Sequence, residues 1–364
     1  MRSKLHILSL LTLAAAVSLT AATSSLTPVN TRDQKIVRRW SVEGGPRGIA
    51  AGANGILYVG LADRQAVIAV DSKTGAVQRE IILDSADIAA TKELVTMRTN
   101  ADRTRLFIAN GSDESVTILS LPNLGVTREI TMEGEVIRDA LPDPKGRFLF
   151  LLGRRVHVFD AEGDDELRAL SLADPMAIAI SSNGSTLAVL ATEDFGNAKA
   201  TVAALYDTTT WQELARVPMQ TDKVIEGALF AAGDRALIAV SREHLFERTL
   251  DTRKAGAMTS SGDGRMRMKI EFGDIVNSER ICLPEGSGAQ IATLGPTADT
   301  VLFAERRCSS SGAFSGSSRR VTPASLYGVN AFAVAYDRDS NTLAVTDRAG
   351  YLTIYKVPRA AVAN

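Results

Sequence analysis

Seven copies of one short phrase run through this chain: an Arg or another polar residue, then alternating apolar positions, then a polar turn. They begin at Arg38 (RRWSVEG), Arg79 (REIILDS), Arg128 (REITMEG), Arg168 (RALSLAD), Ala215 (ARVPMQT), Glu279 (ERICLPE) and Arg319 (RRVTPAS). Alternation at period two is the display of a strand with one face on a core. Most copies lie about 40 to 50 residues apart, the length of a four-stranded unit that buries its faces only by stacking on copies of itself. The first copy has no such unit before it, and the last unit lacks the phrase behind it.

That mismatch predicts an all-β, seven-bladed β-propeller in which the N-terminal strand joins the C-terminal blade. Each repeat parses into strands separated by Gly, Asp, Asn and Ser clusters. Blade one reads Gly48–Ala50, Ile56–Val59, Ala66–Val70 and Val77–Leu83, with the turn Asp71 to Gly75 between its last two strands and a positive φ expected at Gly75. Blade seven runs out of chain after Tyr351–Tyr355, so Lys35–Val42 is expected to supply its missing outer strand. Blade five carries an expected insertion from Ser241 to about Gly264, followed by strands at Met266–Phe272 and Arg280–Leu283. In blade six the Ser- and Arg-rich stretch Arg306–Ser325 hides the third strand. A ring of this kind leaves only short sheet edges exposed. A pair of β-sandwiches is the structural alternative, and it does not account for the spacing.

The N-terminus reads as an export signal. Arg2 and Lys4 precede an apolar run from Leu5 to Leu19, and small residues around Ala21 and Ala22 offer a cleavage site. The expected division is a signal peptide at 1–22, a flexible segment at 23–34, the propeller at 35–357 and a short tail at 358–364. The alternative is an uncleaved anchor, although the run is short for a membrane span. The localisation expected is periplasmic or extracellular, without a membrane span once the signal is removed. The whole chain has 41 basic and 42 acidic side chains. Losing Arg2 and Lys4 leaves 39 against 42, a balance that supplies little of the phosphate neutralisation nucleic acid requires. Cys282 and Cys308 are the only cysteines. In an exported protein they are candidates for one disulfide, worth about 3 kcal/mol for a loop of that size if the geometry fits.

Several phrases resemble the YVTN class of β-propeller repeats. These are Gly55-Ile56-Leu57-Tyr58-Val59 with Ala66 to Asp71 and Thr74-Gly75, Arg105 to Asn110 with Asp113 to Ile118, and Asn341 to Thr346. Gly45-Pro46-Arg47-Gly48-Ile49-Ala50 is similar to that family's turn into the innermost strand. The resemblance spans about residues 35 to 357 and implies the fold. It says little of activity, since such repeats occur in secreted binding proteins, redox-enzyme subunits and sugar-lactone hydrolases. Blades five and six depart from the pattern.

The sequence contains no GxSxG elbow, HExxH, P-loop, CxxCH or EF-hand loop. Neither His157 nor His244 has a second His or Cys at ligand spacing, so no metal site of the zinc, copper or haem kind and no cofactor are expected; calcium held by carboxylates and backbone oxygens of distant loops is the alternative, and His157 reads as structural. Aligning the inner strands places Arg47, Arg138, Met176, Glu226, Gln290 and Phe332 at comparable positions, with Arg98 and Asp139 nearby. Arg47, Arg98, Arg138, Glu226 and Gln290 are therefore the candidate ligand-binding set at a channel mouth. Glu226 and Asp139 are the candidate general acid or base of a lactonase-like hydrolase. In the competing reading these carboxylates pair with Arg138 and Arg47 and only satisfy the channel. The basic and acidic residues of the blade-five insertion suit either a binding loop or a solvated excursion. The leading expectation is an exported, non-catalytic, monomeric scaffold for an envelope or extracellular protein, peptide or glycan. A hydrolase and an accessory subunit of a periplasmic redox complex are the alternatives.

Overall fold

A computed structural model describes residues 27–28, 36–83, 96–110, 114–194, 196, 199–219, 223–231, 233–241, 244–251, 258–260, 266–268, 271–280, 292–294, 300–305, 322–327 and 331–357. Among them lie seven sheets, one after another along the chain, and one small two-stranded ribbon. Blade one is Pro46–Ala51, Ile56–Leu61, Ala66–Asp71 and Val77–Ile82, each strand antiparallel to the next. Blades two, three and four repeat this meander, starting from inner strands Thr96–Thr99, Asp139–Pro142 and Pro175–Ile180. The inner strands neighbour one another in turn, from blade one through blade seven and back to blade one. Together they form the wall of a central channel.

The apolar alternation finds its reason in where the cores sit, which is between blades. Leu57, Val59 and Leu61 face blade seven, where they meet Ala333, Ala344 and Leu352. Tyr58 on the same strand faces blade two and packs with Met97, Leu106 and Leu119. Further cores fill the junctions of blades two and three, three and four, and four and five. A strand sandwiched in this way buries both faces, so its core residues each gain about 1.5–3 kcal/mol from lost water contact.

The two ends of the chain meet in one sheet. Ile36–Ser41 pairs antiparallel with Tyr351–Lys356, with Trp40 opposite Leu352. Within the 23–34 segment, expected to be flexible, Thr27–Pro28 pairs with Ser41 and Trp40 and adds a fifth strand to this sheet. The turn chemistry follows the sequence. Asp71 Oδ1 accepts the N–H groups of Lys73 and Thr74, and Gly75 follows at φ +74°. Asp207 and Asp160 build the same turn in blades four and three. Gly75 is required for a second reason: a Cβ there would fall on the indole nitrogen of Trp40.

Blades five and six correct the sequence-based parse. His244–Asp251, placed inside the expected insertion, is the third strand of blade five, and Glu271–Arg280 is the fourth. The true excursion is the ribbon Met258–Ser260 with Met266–Met268 between them. The error came from reading a charge-rich stretch as loop, whereas a third strand needs few apolar positions when pairing on both sides supplies its backbone bonds. In blade six, Thr322–Tyr327 is the edge strand of the three described and lies parallel to Thr300–Glu305, unlike the antiparallel meander of blades one to four. Cys282, Cys308 and the signal segment 1–22 fall outside the described residues. No helix among the described residues is long and apolar enough to cross a membrane.

Candidate functional site

Four inner strands share a β-bulge near their first residue. The ladder skips Arg47 and Gly48 in blade one, Met176 in blade four, Glu226 in blade five and Phe332 in blade seven. A bulge frees a residue from the pleat and re-aims its side chain. These four positions therefore mark one end of the channel, and they are four of the six that the sequence groups at comparable heights. Arg138 stands just before the inner strand of blade three, where its Nη2 donates to the carbonyls of Gly153, at 2.8 Å, and of Pro175. Met176 is buried, and its sulfur accepts from Thr192 Oγ1 and Ile225 N. Gln290 lies outside the described residues.

Arg98 and Asp139 sit deeper and hold each other. Arg98 Nε donates to Asp139 Oδ1 at 2.9 Å and Nη2 to Oδ2 at 2.8 Å, a fork across the seam of blades two and three. Burial works against the Arg98 charge, but Asp139 more than restores it and holds the guanidinium above its ordinary value. Asp139 is 1 % exposed and has both oxygens engaged. Its partner is thus Arg98, not the Arg138 or Arg47 of the competing reading.

Beyond this pair the channel opens into a cavity of about 350 Å³. Its wall is made by the later residues of the inner strands, among them Ala51, Pro142, Ala179, Ala228 and Ala335, with Arg98 on one side. Small side chains there leave the void. The rim carries Arg103 and Arg338, from loops between first and second strands, and Tyr336, near the end of the inner strand of blade seven. Most of these polar groups are already tied. Arg103 reaches Gly52 O at 2.9 Å and Asp339 at 2.7 Å, linking blades one, two and seven, and Tyr336 donates to Asn341 at 2.7 Å. Arg338 is exposed. Sequence alignment missed this rim because it compared strand starts, while loop residues such as Arg103 and Arg338 follow no repeat.

His157 is fully buried in the third strand of blade three. Its Nδ1 lies 2.9 Å from Glu166 Oε1, and Nε2 is 3.2 Å from Glu135 Oε2, off the hydrogen-bonding direction. Glu135 is also held by the N–H groups of Arg154 and Arg155. Burial alone would raise its pKa, but the Arg155 amide, the His157 ring and the Arg154 amide bring it below the ordinary glutamate value. A lowered folded pKa gives stability that is present above the unfolded value, about 4.3, and is lost as pH falls through the folded one. The expected result is that Glu135→Gln weakens the fold near neutral pH and approaches wild type in acid. Urea midpoints across that range measure it, and a constant gap between the two proteins would contradict it. Among the described residues no group of three or more His, Cys, Asp or Glu is placed to hold a metal ion.

No protein-family model matches the chain, and no curated protein matches it. Solved structures do. The β-propeller domain of Cps50 (Swd1) from Myceliophteria thermophila superposes with a TM-score of 0.62 at 12% identity, covering 92% of this chain and 99% of that one. Hydrazine synthase from Kuenenia stuttgartiensis superposes at 0.59 with 14% identity, covering 90% of this chain and 99% of that one. At such identities the likeness shows the fold alone: the chain is a β-propeller.

Proposed function

We propose that this propeller is an exported, non-catalytic scaffold of the YVTN class that binds an envelope or extracellular protein, peptide or glycan at the cavity end of its channel. The observation that carries the reading is the cavity itself, an alanine-rich void with a fixed, arginine-bearing rim, where a side chain or sugar of a partner can seat. Rim loops cross-linked from blade to blade hold that shape before a ligand arrives, which lowers the ordering cost of binding. Against the hydrolase alternative stands Asp139, which is buried from solvent and has each oxygen held by the Arg98 guanidinium. Export follows from the charged and apolar N-terminus, and an envelope-fraction protein beginning after Ala22 would support it.

The test is retention of partners from an envelope extract or glycan array by wild type, by Ala51→Trp, which fills the cavity, and by Arg338→Glu, which reverses the exposed rim charge. Wild type should retain a partner, and both variants should weaken its affinity by about tenfold or more, roughly 1.4 kcal/mol. Equal retention by all three overturns the cavity as the site. Sugar lactones hydrolysed by wild type and not by Glu226→Gln would replace binding with catalysis.

A further inference from the structure

At the opposite, bulged end, two guanidiniums converge on one ring. The Arg47 guanidinium carbon lies 3.9 Å from the Phe332 ring centroid, and that of Arg348 lies 4.9 Å from it. Arg47 comes from the bulge of blade one and Phe332 from the matching bulge of blade seven. Arg348 follows Asp347, the last residue of blade seven's second strand. Neither arginine has a carboxylate partner among the described residues, and Arg47 Nε is buried with no acceptor. The nearby acid, Asp347, is spent: Oδ1 takes the N–H groups of Ala349 and Tyr351, and Oδ2 reaches Arg39 at 3.5 Å. Arg39 itself stacks 3.9 Å from the Tyr351 ring centroid.

Stacking uses the face of a guanidinium and leaves its in-plane donors unspent. A ring face returns only a weak attraction for each cation at an exposed site. Two like charges brought to one ring, one of them with a buried donor lacking an acceptor, cost free energy that an anion between them would recover. We propose that Arg47 and Arg348, ordered by Phe332, form a binding site for an oxyanion group, the sulfate, phosphate or carboxylate of a ligand, at the bulged end of the channel. The site is independent of the cavity at the other end, so either can fail alone. Phe332 is a positioning residue in it, acting through the two guanidiniums.

The experiment is titration of the purified protein with sodium sulfate, inorganic phosphate and sodium acetate at constant ionic strength, followed by calorimetry and by the rise in melting temperature. At least one of the three should bind saturably, and tetrahedral against planar preference tells the group type. Arg348→Gln, an exposed position with little bearing on folding, should weaken that binding about tenfold, and Arg47→Gln likewise. Phe332→Leu, which keeps both charges, should weaken it less. Arg64→Gln removes an arginine that is already paired with Glu80, and it should leave binding unchanged. Absence of saturable binding by all three anions, or Arg348→Gln and Arg64→Gln behaving alike, overturns the proposal.

Discussion

Trp40→Ala should lower stability by about 3–5 kcal/mol, the usual cost of deleting a buried aromatic side chain, and should leave the protein prone to self-association. Trp40 is 3% exposed, although it belongs to the second strand from the outside of its sheet. Its indole lies in the core between blades seven and one, beside Val59, Ile68 and Ala333, and over Gly75 of blade one's last turn. One side chain therefore fastens the N-terminal strand both to its own sheet and to the next. Loosening Ile36–Ser41 bares the edge of Tyr351–Lys356, a row of unpaired backbone groups that another chain can pair with. Arg38→Ala, an exposed position on the same strand, should stay within about 0.5 kcal/mol. Denaturation midpoints and size-exclusion profiles of the two variants make the comparison. A Trp40→Ala protein as stable and monodisperse as Arg38→Ala would mean that this strand contributes little to holding the ring.

Asp139→Ala should be the costliest change near the channel, at about 2–4 kcal/mol. Removing one partner of a buried ion pair costs about 3–5 kcal/mol because the other charge is left without compensation. The lower figure applies here because the Arg98 side chain keeps 25% of its surface exposed to the channel. Replacing both at once, Arg98→Met with Asp139→Leu, should recover most of the loss, since two apolar side chains need no counter-charge. The pattern to be measured is a severe single and a mild double by equilibrium unfolding. If the double variant is as unstable as the single, Asp139 contributes through contacts other than Arg98.

The blade period, the turn at Asp71 to Gly75 and the bulged positions Arg47, Met176, Glu226 and Phe332 all follow from local pattern. Alternation and turn residues are short-range signals, and they repeat because each blade solves the same packing problem. The third strand of blade five escaped because His244–Asp251 carries charge where an inner strand would carry apolar residues. The parallel strand Thr322–Tyr327 escaped because strand direction leaves no mark on side-chain alternation.

The sequence by itself determined the architecture, and it grouped Arg47, Met176, Glu226 and Phe332, which carry matching bulges, because repeats place equivalent positions at equivalent heights. Only the tertiary structure decided who partners whom. Arg98 and Asp139 are 41 residues apart, and Arg47 and Arg348 meet on Phe332 across the junction where the chain's two ends come together. Such pairings depend on ring curvature and on rotamers between neighbouring blades, quantities that no spacing within a blade encodes. The same holds for the cavity, which exists because alanines from separate strands happen to face a common axis.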